Sequence, residues 1–199
     1  VLPRRDAEWS QTHAWEAHAD SIHELELHET AGSLATAGAD KLIKLWSWPE
    51  GRETARLEGH TAAVLGLAFN ADATRLASAG ADRELKVWDV ATREKIIGLG
   101  RFASPVSAVV WRSETNALFT GDDAGRVLLY QNLRVHSGEQ SSNGGDERKL
   151  ADLREPVLRL TATRDGERVL AATHDGRVRV WNRAGQLLGD KLISQELYD

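Results

Sequence analysis

Residues 34–46 read LATAGADKLIKLW, and residues 76–88 read LASAGADRELKVW. The second stretch repeats the first after 42 positions, and eight of its thirteen residues are identical. A histidine precedes each stretch by the same interval, since His18 stands before Leu34 as His60 stands before Leu76. The repeated unit therefore runs from a histidine to a tryptophan.

Two weaker copies follow. The segment ALFTGDDAGRVLLY ends at Tyr130, which lies one further period past Trp88, and VLAATHDGRVRVW ends at Trp181 after a somewhat longer interval. A period near forty that begins with His and ends with Trp is typical of a β-propeller blade. The sequence therefore predicts an all-β chain of four such blades.

Each copy divides into short strands separated by turn residues. In the second copy, residues 63–69, 75–79, 84–89 and 92–99 form the four predicted strands, and residues 70–74 (NADAT) and 80–83 form turns. The first strand carries apolar side chains on both faces, as expected for a sheet packed between two neighbours. We expect four-stranded antiparallel blades at about 18–58, 60–100, 102–152 and 153–189.

Three segments lie outside this pattern. Residues 12–189 hold the blades, so residues 1–11 form an amino-terminal extension and residues 190–199 a tail. Residues 136–149 (HSGEQSSNGGDERK) are polar and aperiodic, which predicts a flexible insert. Residues 11–18 (QTHAWEAH) align with 53–60 (ETARLEGH), which predicts a spare amino-terminal outer strand belonging to a preceding blade.

The two clearest copies resemble the WD-repeat (WD40-type) β-propeller family. The resemblance implies that four side chains in a blade form a hydrogen-bonded structural tetrad of His, Ser or Thr, Asp and Trp. Both copies contain such a set at equal offsets: His18, Thr36, Asp40 and Trp46 in the first, and His60, Ser78, Asp82 and Trp88 in the second.

The later copies hold only partial tetrads. The third retains Thr120 but has Phe102, Ala124 and Tyr130 at the other three positions. The fourth retains Asp175 and Trp181 but has Leu153 and Ala171 in place of His and Ser. We expect apolar packing to replace the tetrad in both blades, because a fully apolar substitute costs less than a half-satisfied polar network.

Composition excludes several classes of protein. The net charge of −5 without a basic stripe argues against nucleic acid as a partner. The chain has no cysteine, which excludes disulfides and thiolate metal sites. No apolar run approaches the roughly 20 residues needed to span a bilayer. We expect no nucleic-acid or membrane partner and no cofactor, and nothing in the sequence fixes the cellular compartment.

The residues that could suggest metal binding or catalysis have simpler interpretations. His13, His18, His23 and His28 fall five apart, a spacing that fits neither a helix face nor one face of a strand. Glu24 and Glu26 share one strand face, and Arg159 and Thr161 take the same places in the fourth copy. We expect these four side chains to face a central channel or an interface. The sequence therefore predicts neither a metal site nor an enzyme.

The resemblance implies a non-catalytic scaffold that binds other proteins through blade turns. In this family partners often dock on the turns before the first strand and between the second and third strands. The matching turn residues, together with the tryptophans outside the tetrads, are the candidate binding residues: Asp20, Ser21, Lys41, Thr61, Arg83, Trp9, Trp15 and Trp48. A ligand- or peptide-sensing domain attached to an enzyme or signalling protein is an alternative.

Four blades are few for a closed ring of this family, which commonly has seven or eight. The sequence has no methionine, even at its first position, and we expect it to be a piece of a larger propeller or multi-domain protein. Alternatives are a half-ring completed by a second copy of the chain and a true four-bladed ring. An isolated half-ring would expose the apolar faces of its two end blades.

Overall fold

The computed structural model describes residues 14–99, 102–112, 117–133, 145–163 and 165–192. Within them the regular structure consists of sixteen strands and one short 3-10 turn, Glu29–Ala31. The strands form four antiparallel sheets of four, each in chain order. The predicted four-bladed all-β architecture is therefore confirmed. In the part of the chain described, no helix has the length and apolarity that crossing a membrane requires.

The first two blades are close copies of one another. Blade 1 consists of β1 (Ile22–His28), β2 (Ser33–Gly38), β3 (Ile43–Ser47) and β4 (Arg52–Leu57). Blade 2 consists of β5 (Val64–Phe69), β6 (Arg75–Gly80), β7 (Leu85–Asp89) and β8 (Lys95–Leu99). Strands β6 and β7 begin and end one full repeat after β2 and β3, so the sequence period is also the structural period.

The last two blades have the same topology as the first two. Blade 3 consists of β9 (Val106–Arg112), β10 (Ala117–Asp122), β11 (Arg126–Gln131) and β12 (Asp146–Asp152). Blade 4 consists of β13 (Val157–Ala162), β14 (Arg168–Thr173), β15 (Arg177–Asn182) and β16 (Leu187–Leu192).

Side chains in the turns satisfy the backbone groups that the strands leave unpaired. In the β5–β6 turn, the Asn70 side-chain oxygen accepts the Arg75 N–H at 2.8 Å, and Asp72 accepts the Thr74 N–H at 3.0 Å. Asn and Asp favour such turns because their short side chains can bond to nearby backbone groups. The predicted NADAT turn therefore has a local chemical cause.

Apolar layers between consecutive blades form the core. One layer joins blades 1 and 2, a second joins blades 2 and 3, and a third joins blades 3 and 4. The inner strands β1, β5, β9 and β13 pack against one another in that order. Each middle blade is buried on both faces, which explains why its strands do not alternate simply between apolar and polar residues.

The ring is open between its first and last blades. Among the described residues, blades 1 and 4 share none of the sheet-to-sheet packing that joins consecutive blades. The outer faces of these two blades therefore lack a neighbouring blade. The arrangement is an arc, as expected for a partial propeller or half-ring.

The predicted insert is shorter than expected at its carboxyl end. Residues 146–149 were expected to be part of the flexible segment 136–149, but they pair with β11 as the first half of β12. The polar sequence DERK was misleading because β12 is an exposed outer strand, where only one edge and little side-chain area are buried. Residues 134–144 lie outside the described residues.

The spare amino-terminal outer strand is not formed by the described part of its sequence. Residues 14–20 have no strand conformation, and residues 11–13 lie outside the described residues. An outer strand needs the third strand of its own blade as a hydrogen-bonding partner, and the described residues contain no strand before β1 that could provide one. At the other end, β16 continues to Leu192, past the predicted boundary at residue 189.

Candidate functional site

A continuous hydrogen-bond chain crosses blade 2. The Trp88 Nε1–H donates to Ser78 Oγ at 2.8 Å, and Ser78 Oγ lies 2.8 Å from His60 Nε2. His60 Nδ1 lies 2.8 Å from Asp82 Oδ2, which also accepts the Thr61 N–H at 2.9 Å. The predicted tetrad residues of this blade therefore meet in space.

The directions of these bonds follow from the donors available. An ionised Asp82 can only accept, so His60 donates to it from Nδ1. Nε2 of the neutral ring is then an acceptor and takes the Ser78 hydroxyl proton, which leaves the Ser78 oxygen to accept from Trp88. Burial lowers the pKa of His60, with Asp82 opposing this shift, and thereby favours the neutral ring.

Blade 1 repeats the arrangement with threonine in place of serine. Trp46 Nε1–H donates to Thr36 Oγ1 at 2.9 Å, Thr36 Oγ1 lies 2.7 Å from His18 Nε2, and His18 Nδ1 lies 2.9 Å from Asp40. Burial raises the pKa of Asp40, but the hydrogen bond from His18 and backbone N–H donors outweigh it, so the net shift is downward. Both complete tetrads predicted from the sequence are present.

The tetrads join the two turns in which the predicted binding residues lie. In blade 2, Asp82 accepts N–H groups from Thr61 and, at 3.2 Å, from Glu84, which ties the turn before β5 to the β6–β7 turn. The exposed turn residues Asp20, Ser21, Lys41, Thr61 and Arg83 all lie at this end of their blades. We call the surface formed by residues 19–21, 39–41, 61–63 and 81–83 the turn face.

Two basic residues on the turn face hold a left-handed backbone conformation. Lys41 has φ 70° and Arg83 has φ 65°. The same position is Gly125 in blade 3 and Gly176 in blade 4, with φ 84° and 74°. Glycine adopts this conformation without steric cost, whereas other L-residues are strained there.

The glycine two residues before the tetrad aspartate packs closely against the tetrad and leaves no room for a side chain. A Cβ atom on Gly80 would lie 2.6 Å from Asp82 Oδ1 and 2.8 Å from His60 Nδ1. Blade 3 has Phe102 and Ala124 instead of His and Asp, and there an aspartate, Asp122, occupies the glycine position. Loss of the His–Asp pair thus leaves room for a larger side chain.

Blade 3 replaces the tetrad largely with apolar packing, as predicted. Phe102 packs edge-on against Tyr130 with ring centroids 6.5 Å apart, the same separation as between His60 and Trp88. The Thr120 hydroxyl is buried and finds no hydrogen-bond partner among the described residues. Asp122 accepts Arg126 Nε–H at 2.7 Å and the Ala124 N–H at 3.0 Å.

Blade 4 replaces the tetrad with a different polar network as well as apolar packing. Leu153, Ala171 and Trp181 lie in the apolar layer between blades 3 and 4. Asp175 accepts the Thr173 hydroxyl at 2.6 Å and Arg179 Nη2–H at 2.9 Å, which lowers its pKa. The expectation of purely apolar replacement was therefore wrong for this blade. The sequence signal that could have found Arg179 is its position just before Val180 and Trp181, where blades 1 and 2 have Lys44 and Lys86.

The tryptophans outside the tetrads have different roles. Trp15 is 38% exposed and packs on Trp46 with ring centroids 5.7 Å apart, so it covers part of the outer side of blade 1. Trp48 is also 38% exposed, in the turn after β3 at the opposite end from the turn face. Trp9 lies outside the described residues.

A central cavity of about 350 Å³ lies where the inner strands converge. Glu24 and Glu26 of β1 and Arg159 and Thr161 of β13 line it, and Arg159 forms an ion pair with Glu24 across the open ring. The sequence analysis expected these four residues to face either a central channel or an interface, and in the structure they face the channel. Burial raises the pKa of Glu26, partly offset by the Phe69 N–H and by His28.

The histidines do not converge on a metal. His28 bonds to the Ala71 carbonyl at 3.0 Å, His18 belongs to its tetrad and His23 is exposed. Within the described ranges, no group of three or more His, Asp or Glu side chains could hold a metal ion. His13 lies outside those ranges.

Comparison with known proteins agrees with the geometry. The family model described as WD40: WD domain, G-beta repeat matches residues 9–47, 51–89 and 149–182, together more than half of the chain. Most of blade 3, which has lost three of its four tetrad residues, falls between the matched segments. No curated protein sequence matches the chain.

A solved structure shares the fold. The β-propeller domain of Cps50 (Swd1) from Myceliophteria thermophila is similar with a TM-score of 0.73 and 16% sequence identity. The similarity covers 89% of this chain and 57% of that one, so the chain matches little more than half the length of that domain. With the repeated tetrads and the family match, we conclude that the chain belongs to the WD40 repeat family.

Proposed function

We propose that this chain is a non-catalytic protein-interaction scaffold whose partners dock on the turn face. WD40 propellers generally bind other proteins and are typically not enzymes, and the fold of this chain supports the same general role. The finer assignment to the turn face rests on the arrangement of its residues.

The turn face is rigid where the tetrads anchor it. Asp40 and Asp82 each bind the backbone of two separate turns, so the exposed side chains of those turns project from a fixed framework. A surface that is ordered before binding loses less conformational entropy on association than a flexible one. Rigid turns on a packed scaffold are a common basis for recognition.

The observation that carries the proposal is the strained conformation of Lys41 and Arg83. A non-glycine residue in the left-handed region costs on the order of 1 kcal/mol, and glycine at the same position in blades 3 and 4 avoids that cost. Backbone strain is often retained at functional sites, and on the turn face it falls on two exposed cations that hold the same position in consecutive blades. We therefore assign these two cations to partner binding.

A photo-cross-linking residue identifies the partner first. One variant of the chain carries this residue in place of Lys41. A control variant carries it in place of Thr92, which is exposed in the β7–β8 turn at the opposite end of the blade. The proposal predicts a protein that cross-links specifically from position 41. Its affinity for the purified chain is then measured by isothermal titration calorimetry.

Glycine substitutions test the two cations against a matched control. Arg93 is also exposed, basic and left-handed (φ 66°), but it lies at the opposite end of blade 2. We expect Lys41→Gly and Arg83→Gly to weaken binding about tenfold each while leaving Tm unchanged or higher, and Arg93→Gly to leave binding unchanged. Unaltered affinity in the Lys41→Gly, Arg83→Gly double variant would refute the assignment.

A further inference from the structure

A crevice of about 120 Å³ opens between blades 1 and 2. Leu45 and Ala55 of blade 1 form one apolar wall, and Phe69 and Val90 of blade 2 form the other. The crevice lies at the end of the blades opposite the turn face, where β3 ends and the β7–β8 turn begins. Both walls belong to described blades, so the crevice does not depend on what precedes blade 1 or follows blade 4. We call it the inter-blade crevice.

The inter-blade crevice exists because blade 1 carries smaller side chains than blade 2 at the same positions. Thr54 and Ala55 of β4 stand one repeat before Ile96 and Ile97 of β8. Ile97 is buried in the apolar layer between blades 2 and 3, and Ile96 packs against that layer. Protein interiors normally leave few voids larger than a water molecule. The open space between blades 1 and 2 therefore follows from two specific residue differences within the repeat.

The volume and lining of the inter-blade crevice suit one aliphatic side chain of a peptide. An engineered apolar cavity of about 150 Å³ holds a benzene molecule. The inter-blade crevice is somewhat smaller, which matches the side chain of valine, leucine or isoleucine. Ser33 and Thr54 also line it, and their hydroxyls can donate to or accept from the backbone of a peptide. This combination favours a peptide over a purely apolar small molecule.

Arg93 supplies a cation at the edge of the inter-blade crevice. Arg93 is exposed and lines the crevice, and the ion pairs described in blades 1 and 2 do not include it. Its backbone is left-handed (φ 66°), whereas the residue one repeat earlier is Gly51 (φ 67°), which adopts this conformation without strain. A cation at a position that favours glycine, with no acidic partner among the described residues, indicates a ligand that carries a carboxylate.

We propose that the inter-blade crevice binds an extended, acidic peptide segment of another protein. One Val, Leu or Ile side chain of the peptide fills the crevice, and an Asp or Glu close to it in the peptide pairs with Arg93. The apolar anchor supplies most of the affinity, and the charge at the rim supplies specificity. The crevice faces away from the turn face, so this second binding site does not rest on the proposed function.

Selection of peptides against a filled crevice tests the proposal. Random heptapeptides displayed on phage are selected on the purified chain after those that bind Ala55→Ile have been removed. Ala55→Ile fills the crevice with the side chain that blade 2 carries as Ile97, and we expect its Tm to be unchanged or higher. If circular dichroism shows that Ala55→Ile does not fold, Thr54→Ile takes its place.

We expect the selected peptides to share a Val, Leu or Ile within two positions of an Asp or Glu. A synthetic peptide of the shared sequence should bind the filled variant at least about tenfold more weakly than it binds the unaltered chain. Recovery of no peptide that distinguishes the two chains, or of peptides without an acidic residue, would overturn the proposal.

The same synthetic peptide measures the role of Arg93 by isothermal titration calorimetry. We expect Arg93→Gly to weaken binding about fivefold and Arg93→Lys to retain most of the affinity. Replacing the acidic residue of the peptide by its amide should weaken binding to the unaltered chain by a similar factor but leave binding to Arg93→Gly unchanged. An equal loss with both chains would overturn the pairing with Arg93.

Lys41→Gly is the matched control, because Lys41 is also an exposed, left-handed cation but lies on the turn face. We expect it to leave the affinity for the peptide unchanged, and a loss comparable to that of Arg93→Gly would contradict the assigned site. The turn-face variants and the crevice variants are read out with different ligands, so the two proposals fail independently.

Discussion

At the scale of single residues, one Ser or Thr hydroxyl in each complete tetrad bonds both the tryptophan and the histidine. Ser78 Oγ accepts from the Trp88 indole and donates to His60, and neither partner has another hydrogen bond from these atoms among the described residues. Ser78 itself is fully buried. Removing the hydroxyl therefore leaves a buried donor and a buried acceptor without partners, which costs more than the two bonds contribute in a solvated site.

The contrast between Ser78 and Thr120 gives a paired prediction. We expect Ser78→Ala to lower the free energy of unfolding by about 2–3 kcal/mol, because it leaves the buried Trp88 Nε1–H and His60 Nε2 without hydrogen-bond partners. Thr120→Val should be neutral or stabilising, because Thr120 Oγ1 is buried without a partner in the described structure and valine has nearly the same shape. Urea unfolding of both variants measures the difference. Equal destabilisation by the two changes would contradict the assigned bonds.

At the scale of strands, the repeat period fixes which side chains share a layer. The positions of β2 and β3 recur one period later in β6 and β7, so a single alignment of the first two copies predicts their pairing, their turns and both tetrads. These features are local in the sequence and repeat with it. Sequence analysis was therefore sufficient for the blades and for the tetrad geometry.

The features that sequence did not predict depend on neighbours that no local pattern encodes. Asp146 to Lys149 are polar yet pair in β12, because an outer strand needs only a partner edge and little burial. Asp175 and Arg179 interact because loss of His and Ser from blade 4 leaves the aspartate without its usual partners. The facing of Glu24 and Arg159 across the cavity depends on the curvature of the arc, which the repeat period does not specify.

The inner strand β1 also gives a pH-dependent prediction. Burial raises the folded-state pKa of Glu26 above its unfolded value, and the opposing effects of the Phe69 N–H and of His28 offset this rise only in part. The folded state therefore binds more protons, and stability is lost as pH rises from about 4.5 through the folded pKa.

Glu26→Gln should remove this penalty, because glutamine keeps an oxygen that can accept the Phe69 N–H but carries no charge. We expect a higher Tm than that of the unaltered chain at pH 7, with the difference shrinking as the pH falls to 4. Thermal unfolding followed by circular dichroism across this range measures both. A variant that is less stable at pH 7 would show that the carboxylate contributes favourable contacts.

At the scale of the whole molecule, the chain is an arc of four blades with two kinds of surface. Its turn face is held by tetrads in blades 1 and 2 and carries strained cations. The outer faces of blades 1 and 4 carry apolar residues at the positions that neighbouring blades cover in blades 2 and 3.

The central claim is that the tetrads hold the turn face rigid for partner binding. Amide hydrogen exchange of Thr61 and Glu84, measured by NMR in the unaltered chain and in Ser78→Ala, tests it most directly. Both N–H groups donate to Asp82, so we predict slow exchange that accelerates at least about tenfold when the Ser78 hydroxyl is removed. Fast exchange of these two amides in the unaltered chain, or rates that do not respond to Ser78→Ala, would contradict the account.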